Sequence, residues 1–515
     1  MLVGVAASDS LGFDPHTVTE AKCCPDWPEW QEAMHDEIRR LELRKAWVYV
    51  DPPPRSSGQN VVGSKWVFRT KRDARGEVTG YRARLVAQGF TQVEGVDYFS
   101  DDTYAAVCKL ASIRVILSVA ARNGWFTHQV DVKSAFDEKI YMRPPSDIEL
   151  DGLKPGQILL LLVALYGLHQ SDRRWYIRLR KILEGFKLVR LEHNHAVFYR
   201  RHPDGEISII FLHVDDMTLV CSLLANLLHL KVMIKSELEI TDNGELHWLL
   251  GIEVRCNLKK HTIALSQRVY IDSIIARYGF SDAKPLSQLM DPHVHLSVDQ
   301  CPVSTAEYAA MRDKPYLEAL GALQYVSVAT RPDITFAVGQ LAQFGWNPGI
   351  AHWSALKRIY QYLKGTADIW LMLGSSEDND IIGYSDADGM STEGCRAISG
   401  YVFMLNGGAV SWSSKRQDLV TLSTTEAKYV ALTHASKEAI WLRSFIKELF
   451  GDPEHPLPLR SDNQSAIALA KDDRFHARTK HIDIRFHFIR YAIAEGKISL
   501  SYLVLRSPVL GPGKD

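Results

Sequence analysis

The sequence predicts an α+β fold in more than one domain, and three observations support this prediction. The chain of 515 residues is longer than one hydrophobic core usually serves, and its length suggests roughly three domains. Apolar alternation typical of strands is interspersed with helical spacing through residues 28–282. Strand-like runs that begin at residue 381 combine with a long helix into a separate layered unit of about 130 residues.

Composition and charge exclude several classes of protein. The hydrophobic content of 46% and charged content of 23% are those of a soluble globular chain, and the net charge of -1 leaves nucleic-acid binding to local basic patches. Seven cysteines without metal-ligand spacing indicate reduced thiols. The longest apolar stretch, 158–166, is far shorter than the roughly twenty residues of a membrane helix. The start MLVGVAASDSLGFDP lacks the basic residues of a signal peptide.

The elements of the first half can be read from local patterns. Residues 1–27 are expected to be irregular, and Trp27, Trp30, Met34 and Ile38 then recur at helical spacing. KWVFRTKR and YRARLVAQ predict a hairpin with a strong basic excess. This hairpin is either a phosphate clamp or an edge ribbon that uses charge to avoid aggregation. Its basic residues are Lys65, Arg69, Lys71, Arg72, Arg75, Arg82 and Arg84.

The remaining elements follow in the same way. ASIRVILSVAARNG predicts a helix that leads into the strand FTHQVDVKSAF, and a basic helix begins after LYGLHQ. A strand pair surrounds FLHVDDMTLV, and GELHWLLGIEVRC predicts a further hairpin. Past Pro285 the pattern is mostly helical. Three strands then precede a long helix that Ser423 and Glu426 open as a capping box.

A first set of acids lies in the strand pair. Asp215 and Asp216 sit at or near a hairpin turn, where adjacent ionised carboxylates repel and tend either to protonate or to recruit a cation. Asp131 ends an apolar strand earlier in the chain, and three such carboxylates can hold two magnesium ions for in-line phosphoryl transfer. The alternative is a solvated polar turn. Phe136 would lie under an incoming sugar, or it is simply a core residue.

A second set of four acids lies in the C-terminal unit. Each has a structural alternative: closing a turn, serving the capping box, capping a helix, or balancing a helix dipole. Together they could converge on one crevice and coordinate two metals for attack of water on a phosphodiester. In chain order they are Asp386 after the first strand, Glu426 in the long helix, Asp462 after the fourth strand and Asp483 near the last helix.

These motifs resemble, in family order, the reverse transcriptase and ribonuclease H portion of a copia-type long-terminal-repeat retrotransposon polyprotein. The resemblance extends from about residue 28 to residue 495 and covers nearly the whole chain. The matching stretches include GSKWVFRTKRDARGEVTGYRARLVAQGFTQVEGVDY, VDVKSAF, LYGLHQSDRRWY, HVDDM, ATRPDITFAV, YSDAD, SWSSKRQ, STTEAKYVAL, SDNQSAI and FHARTKHIDIRFHFIR.

The resemblance implies an arrangement of domains and a function. The fold would be a right-hand polymerase with fingers and palm in 28–282, a helical connection segment in 283–376, and a C-terminal ribonuclease H-like α/β domain in 377–515 with a short tail. The function would be RNA- and DNA-directed DNA synthesis with hydrolysis of RNA in hybrids, using two Mg²⁺ per active site, or Mn²⁺. Partners would be RNA template, DNA primer, RNA–DNA hybrid and deoxynucleoside triphosphates, without a membrane. Homodimerisation stays open, and cytoplasmic virus-like particles and the nucleus are the expected locations.

The resemblance also implies roles for single residues. The polymerase metal ligands would be Asp131, Asp215 and Asp216. The residues near the incoming nucleotide would be Lys65, Arg82, Arg84, Phe136 as the sugar gate, and Gln170. The ribonuclease H acids would be Asp386, Glu426, Asp462 and Asp483.

Several positions depart from the family pattern. Only DEK (137–139) stands where the family carries a longer turn, His213 replaces an aromatic residue, and Lys428 replaces an acid. A shortened turn near Asp131 can misplace metal ligands. The alternative function is therefore a catalytically inactive remnant that retains nucleic-acid binding or hybrid cleavage. Since no protease, integrase or zinc-knuckle motif is found, we expect a fragment of a polyprotein.

Overall fold

The structure is a computed structural model that describes most of the chain. None of the helices in this described part is long and apolar enough to cross a membrane. Described are residues 14–503 apart from 73–77, 100–103, 133–136, 164, 214–215, 292, 375, 377–379, 389–395, 422 and 472–482.

The first unit is a helix packed on a basic hairpin. Trp30 meets Phe68 and Tyr81 edge-on, with ring centroids 5.3 and 4.7 Å apart, and this confirms the expected amphipathic helix and hairpin. A neighbouring four-stranded sheet has the order β1-β7-β6-β2. The elements are α1 (Val18–Cys23), α2 (Trp27–Leu43), β1 (Trp47–Val50), β2 (Val61–Val62), β3 (Ser64–Arg72), β4 (Val78–Ala87), β6 (Asp137–Met142) and β7 (Ile158–Val163).

The expectation of an irregular segment over residues 1–27 is wrong for its last part, where α1 forms. The Thr17 hydroxyl accepts a hydrogen bond from the Glu20 amide at 3.1 Å and caps the helix. Ala21 is fully buried in the cluster that surrounds Trp30. Capping and burial together order a helix that is too short to be stable alone.

The second unit is a six-stranded antiparallel sheet of order β12-β5-β11-β10-β9-β8. Its central strand β10 is buried along six of its seven residues, and helices α3, α4 and α5 contribute buried side chains to the same core. The elements are α3 (Leu110–Asn123), β5 (Phe126–Val132), α4 (Ser171–Gly185), β8 (Val189–Arg190), β9 (Val197–Arg201), β10 (Ile207–His213), β11 (Asp216–Cys221), α5 (Leu224–Glu237) and β12 (Ile240–Glu245).

A small sheet and a helical segment follow. The hairpin expected in GELHWLLGIEVRC is present, and Leu250 and Gly251 form its turn with φ of 55° and 75°. The sheet has the order β13-β14-β15-β16. The elements are β13 (Trp248–Leu249), β14 (Ile252–Asn257), β15 (Thr262–Ser266), α6 (Arg268–Arg277), α7 (Thr305–Met311), α8 (Tyr316–Ala329), α9 (Thr335–Ala342), α10 (Ile350–Gly365) and β16 (Leu371–Leu373).

The last unit is a five-stranded sheet of order β19-β18-β17-β20-β21. The first three strands are antiparallel, whereas β20 and β21 run parallel to β17, so that strand ends meet at one edge. The long helix α11 contributes buried side chains to the core that it shares with this sheet. The elements are β17 (Ile382–Asp388), β18 (Ile398–Leu405), β19 (Gly408–Arg416), α11 (Thr424–Phe450), β20 (Leu457–Ser461), α12 (Gln464–Lys471), α13 (Asp483–Ala494) and β21 (Ile498–Tyr502).

Arg114 of α3 joins three of these units. Its guanidinium donates to the carbonyls of Val328, Ala329 and Val410 at 2.9, 2.9 and 2.7 Å. The same group stacks over Trp412 at 3.9 Å from the ring centroid. Burial lowers its pKa to about 9, which keeps it charged at neutral pH. One buried cation therefore ties the six-stranded sheet to the helical segment and to the last sheet.

Candidate active sites

The first candidate site lies where β5 meets β11. Asp131 and Asp216 are paired directly across these antiparallel strands, and both are half-buried. Directly opposed residues point to the same face with Cβ atoms about 4.5–5.5 Å apart. Asp215, the third expected ligand, lies outside the described residues. The structure thus brings together two of the three acids from strands that are far apart in the sequence.

A row of side chains crosses the sheet at this point. His213 is opposite Asp216 in the β10–β11 pair, and Thr241 is opposite Asp131 in the β5–β12 pair. Nδ1 of His213 is buried and neither accepts nor donates a hydrogen bond among the described atoms. Burial also lowers the pKa of this histidine. Burial thus favours the neutral form of the His213 imidazole, which lies beside the acids.

The hairpin β3–β4 separates its apolar and basic side chains onto two faces. In its register Lys65 is opposite Val86, Val67 is opposite Arg84, and Arg69 is opposite Arg82, which places all four basic residues on one face. The other face buries Trp66, Phe68, Ala83 and Leu85.

The basic residues of this face differ in exposure. Lys65 is exposed, whereas Arg82 and Arg84 are half-buried, and the Arg84 guanidinium lies over the Tyr166 ring at 4.5 Å. Burial, together with the charges of Arg84 and Arg40, lowers the pKa of Arg82. A half-buried cation next to other cations attracts an anion more strongly than a solvated one does.

Gln170 lies at the start of α4 and is only 2% exposed. Its Oε1 accepts from the Gln92 side chain at 3.1 Å, and its Nε2 donates to the Asp97 carbonyl at 3.2 Å. With Arg174 it lines a cavity of about 270 Å³. The structure therefore places Gln170 as a support of the 92–98 segment beside a cavity. Phe136, the expected sugar gate, lies outside the described residues.

The second candidate site lies at the edge where β17, β20 and the first turns of α11 meet. Asp386 lies within β17, which corrects the expectation that it follows the strand, and Asp462 comes directly after β20. Both carboxylates contact the Nζ atom of Lys428, at 2.9 Å from Asp386 and at 2.5 Å from Asp462. Glu426 lies in the first turn of α11, as expected. Asp483 opens α13, and its side chain lies outside the described residues.

Local contacts decide between several alternatives for these acids. The Asn463 side chain accepts from the Ala466 amide at 2.7 Å and caps α12, so that Asp462 is not the cap. Asp386 lies inside a strand and closes no turn. The Ser423 hydroxyl accepts from the Glu426 amide at 3.2 Å, which is the first half of the expected capping box.

The donor set of both sites suits a hard divalent cation, because Mg²⁺ prefers carboxylate oxygens. In the second site an ammonium group lies between two of these carboxylates, as a cation would. Burial alone would lower the pKa of Lys428, but its hydrogen bonds to Asp462 and Asp386 outweigh burial and raise that pKa. Among the residues with described side chains, no group of three or more acidic, histidine or cysteine side chains is arranged to hold a metal ion.

Comparisons with known proteins identify the family. Residues 44–291 match the family "Reverse transcriptase (RNA-dependent DNA polymerase)". The chain is 36% identical over 493 residues to "Retrovirus-related Pol polyprotein from transposon TNT 1-94" of Nicotiana tabacum, which is 95% of this chain and 36% of that protein. It is 33% identical over 507 residues to the corresponding polyprotein from transposon RE2 of Arabidopsis thaliana, which is 97% of this chain and 33% of that protein. The chain belongs to the copia-type retrotransposon Pol family.

The solved structures agree with this Pol family in fold. A foamy viral protease-reverse transcriptase, solved in complex with double-stranded DNA, aligns with a TM-score of 0.51 at 12% identity, covering 93% of this chain and 70% of that one. The polymerase-like and ribonuclease H-like α+β fold expected from the sequence is confirmed. The Pol chain spans about a third of the length of the relatives it matches.

Family membership does not reveal one contact that the structure shows. In the sequence Lys428 stands out only as a departure from the acid that the resemblance implies there, and no local pattern pairs it with Asp386 or Asp462. Its partner Asp386 lies on β17, which precedes the long helix in the sequence, and its partner Asp462 comes directly after β20, which follows that helix. The position of Lys428, two residues after Glu426, is the signal that could have suggested a role in the site.

Proposed function

We propose that this chain carries out RNA- and DNA-templated DNA synthesis in its six-stranded sheet and hydrolyses RNA in RNA–DNA hybrids at the second site. The observation that carries the first activity is the direct opposition of Asp131 and Asp216. The matching reverse transcriptase family over residues 44–291 supports it. We assign residues 28–282 to fingers and palm, 283–376 to a connection segment, and 377–515 to the ribonuclease H-like domain, after a leader of 1–27.

The polymerase residues divide into those that hold cations and those that bind the triphosphate. Asp131, Asp215 and Asp216 would hold two Mg²⁺ ions, which when bound lower the pKa of a primer hydroxyl and neutralise the leaving pyrophosphate. Lys65, Arg82 and Arg84 lie on one face of the hairpin and would bind the triphosphate by charge-assisted hydrogen bonds. Phe136 would contact the sugar of the incoming nucleotide.

The acids that we propose for the nuclease are carried by β17, by the first turn of α11, by the residue after β20 and by the start of α13. Asp386, Glu426, Asp462 and Asp483 would hold the cations of this site, whose chemistry is activation of water toward a phosphodiester. The partners of the whole chain would be RNA template, DNA primer, hybrid duplex and deoxynucleoside triphosphates. We further propose that the chain acts in cytoplasmic virus-like particles and in the nucleus. Its proposed oligomeric state is a monomer or a homodimer.

A second candidate function is a remnant that binds nucleic acid without extending a primer. The shortened segment 137–139 favours it, because the pairing of β6 with β7 shifts register between Asp137 and Ile140 close to the end of β5. Displacement of a ligand by a small distance costs catalysis more than it costs binding.

Primer extension on an RNA template separates the two functions. We expect extension by the unaltered chain with Mg²⁺ and none by the Asp131→Asn variant, while Glu245→Gln on the same sheet extends normally. If the unaltered chain binds a duplex but does not extend a primer, even when Mn²⁺ is added, the chain is the inactive remnant.

Cleavage of a labelled RNA–DNA hybrid tests the nuclease separately, and we expect Asp386→Asn to abolish this cleavage.

A further inference from the structure

Lys428 makes three short contacts inside the second site. Its Nζ atom lies 2.6 and 2.5 Å from the two carboxylate oxygens of Asp462 and 2.9 Å from Oδ1 of Asp386. An ammonium group has three N–H donors. All three have a carboxylate oxygen within reach, so that Lys428 is committed to the site's own acids and has no donor left for a substrate phosphate.

The environment makes this ion pair stronger than an ordinary surface pair. Only 16% of the Lys428 side chain and 23% of the Asp462 side chain are exposed, whereas Asp386 is 67% exposed. Shielding from water strengthens the attraction between charges, and exposed pairs contribute little. Asp462 is therefore the main partner, and Asp386 is the acid that solvent ions reach more easily.

The position of the ammonium opposes the binding of a second cation. A divalent ion that used Asp462 and Asp386 would lie close to the place where Nζ now lies, and the two cations would repel each other. Because both oxygens of Asp462 contact the Lys428 ammonium, a metal ion bound to either oxygen would lie close to that positive charge. The flexible four-carbon stem of lysine allows the ammonium to move out when a stronger cation arrives.

Resting on the proposed hybrid hydrolysis, we propose that Lys428 is a tethered cation that competes with the divalent metal for Asp386 and Asp462. The site is held together without metal, and metal enters only by displacing the lysine. Hybrid hydrolysis then requires a higher Mg²⁺ concentration in the unaltered chain than in a chain that lacks the Lys428 ammonium.

Direct metal binding tests this competition. The full chain carrying Asp131→Asn and Asp216→Asn, which removes two ligands of the first site, is titrated with Mn²⁺ and followed by electron paramagnetic resonance. Adding Lys428→Met should tighten binding at the second site by about tenfold, as expected from removal of a nearby like charge. The matched control is Lys447→Met on the same helix, because Lys447 also pairs with an acid, Asp452 at 2.7 Å. This control should leave Mn²⁺ affinity unchanged.

Thermal unfolding in the same chains gives a readout that is independent of activity. In EDTA the Lys428→Met variant should unfold at a lower temperature, because Asp386 and Asp462 lose their cation, and Mg²⁺ should restore the lost stability. The Tm of the chain that carries Asp131→Asn and Asp216→Asn but keeps Lys428 should change little when Mg²⁺ is added. A purely structural lysine would lower the Tm of the variant equally with and without Mg²⁺, and that result would overturn the proposal.

The outcomes separate this inference from the proposed nuclease function. Equal Mn²⁺ affinity with and without Lys428, together with hybrid cleavage that depends on Asp386, would overturn the competition alone. Failure of every variant to bind Mn²⁺ at the second site, with no hybrid cleavage by any of them, would overturn both proposals.

Discussion

Asp131 lies directly opposite Asp216 across the β5–β11 pair. Two like charges at opposed positions destabilise a sheet, yet both strands lie in the middle of a six-stranded sheet with a buried apolar core. We propose that the pair serves chemistry that uses both carboxylates, and this proposal makes a prediction about stability as well as activity.

Neutralising one acid should separate stability from function. In Asp216→Asn we expect the free energy of unfolding to rise by about 0.2–1 kcal/mol, because an opposed like-charge pair is removed. Primer extension should fall by about 100-fold or more, since even outer-shell partners of metal ligands are worth 10–100-fold. Urea unfolding and single-nucleotide extension measure the two effects. Glu245→Gln, an exposed acid of β12 in the same sheet, is the control for both. A destabilised Asp216→Asn that still extends primers would contradict the assignment.

The basic face of the β3–β4 hairpin can be tested as a triphosphate site. Lys65→Met should raise the KM for deoxynucleoside triphosphates by about tenfold or more, since a hydrogen bond to a charged group is worth about 1.5–3 kcal/mol. The kcat should change less than the KM. Lys259→Met, an exposed lysine near the turn between β14 and β15, is the matched control. If Lys65→Met instead aggregates with an unchanged KM, the face serves to protect a sheet edge.

Arg114 should be a large contributor to stability. Replacing it by Met leaves the carbonyls of Val328, Ala329 and Val410 without their donor, and an unsatisfied buried group costs about 1–3 kcal/mol. We expect Arg114→Met to lower the free energy of unfolding by about 3 kcal/mol or more in urea titrations. Arg39→Met removes an arginine that is 61% exposed and should cost less than about 1 kcal/mol. If both variants lose a similar free energy of unfolding, Arg114 does not stabilise the contact among the three units.

From the ion pair between Arg331 and Asp333 we predict that the stability of the chain falls at acidic pH. Arg331 donates to Asp333 at 2.7 and 3.0 Å, and the Tyr362 hydroxyl donates to it at 2.9 Å. Burial raises the pKa of Asp333, but the hydrogen bonds and charge of Arg331 outweigh burial and lower that pKa below its usual value. A lowered folded pKa gives stability that is present above the unfolded pKa of about 3.9 and is lost as pH falls through the folded pKa.

Asp333→Asn should therefore destabilise the chain at neutral pH and flatten the fall in Tm below about pH 4. Thermal unfolding from pH 2 to pH 7 measures this dependence. The control is Asp204→Asn, in the turn before β10, where the carboxylate accepts only from the nearby Glu206 amide among the described contacts. An acid-induced fall in Tm that is equally steep in Asp333→Asn and in the unaltered chain would refute the pair as its source.

Local patterns were sufficient for most elements of the fold. The spacing of Trp27, Trp30, Met34 and Ile38 predicted α2, and alternation predicted the β3–β4 hairpin, because each pattern depends on neighbours a few residues away. The short helix α1 was missed, since six residues carry too little periodicity and Ala21 becomes buried only in the folded chain.

The sequence by itself determined the two sets of acids, the elements that carry them and the family. Only the tertiary structure decided which side chains meet: the register that opposes Asp131 to Asp216, the burial of Gln170, and the lysine between Asp386 and Asp462. The physical reason is that strand register and the approach of α11 to β17 and β20 are set by packing among residues distant in the chain. No local periodicity encodes such contacts.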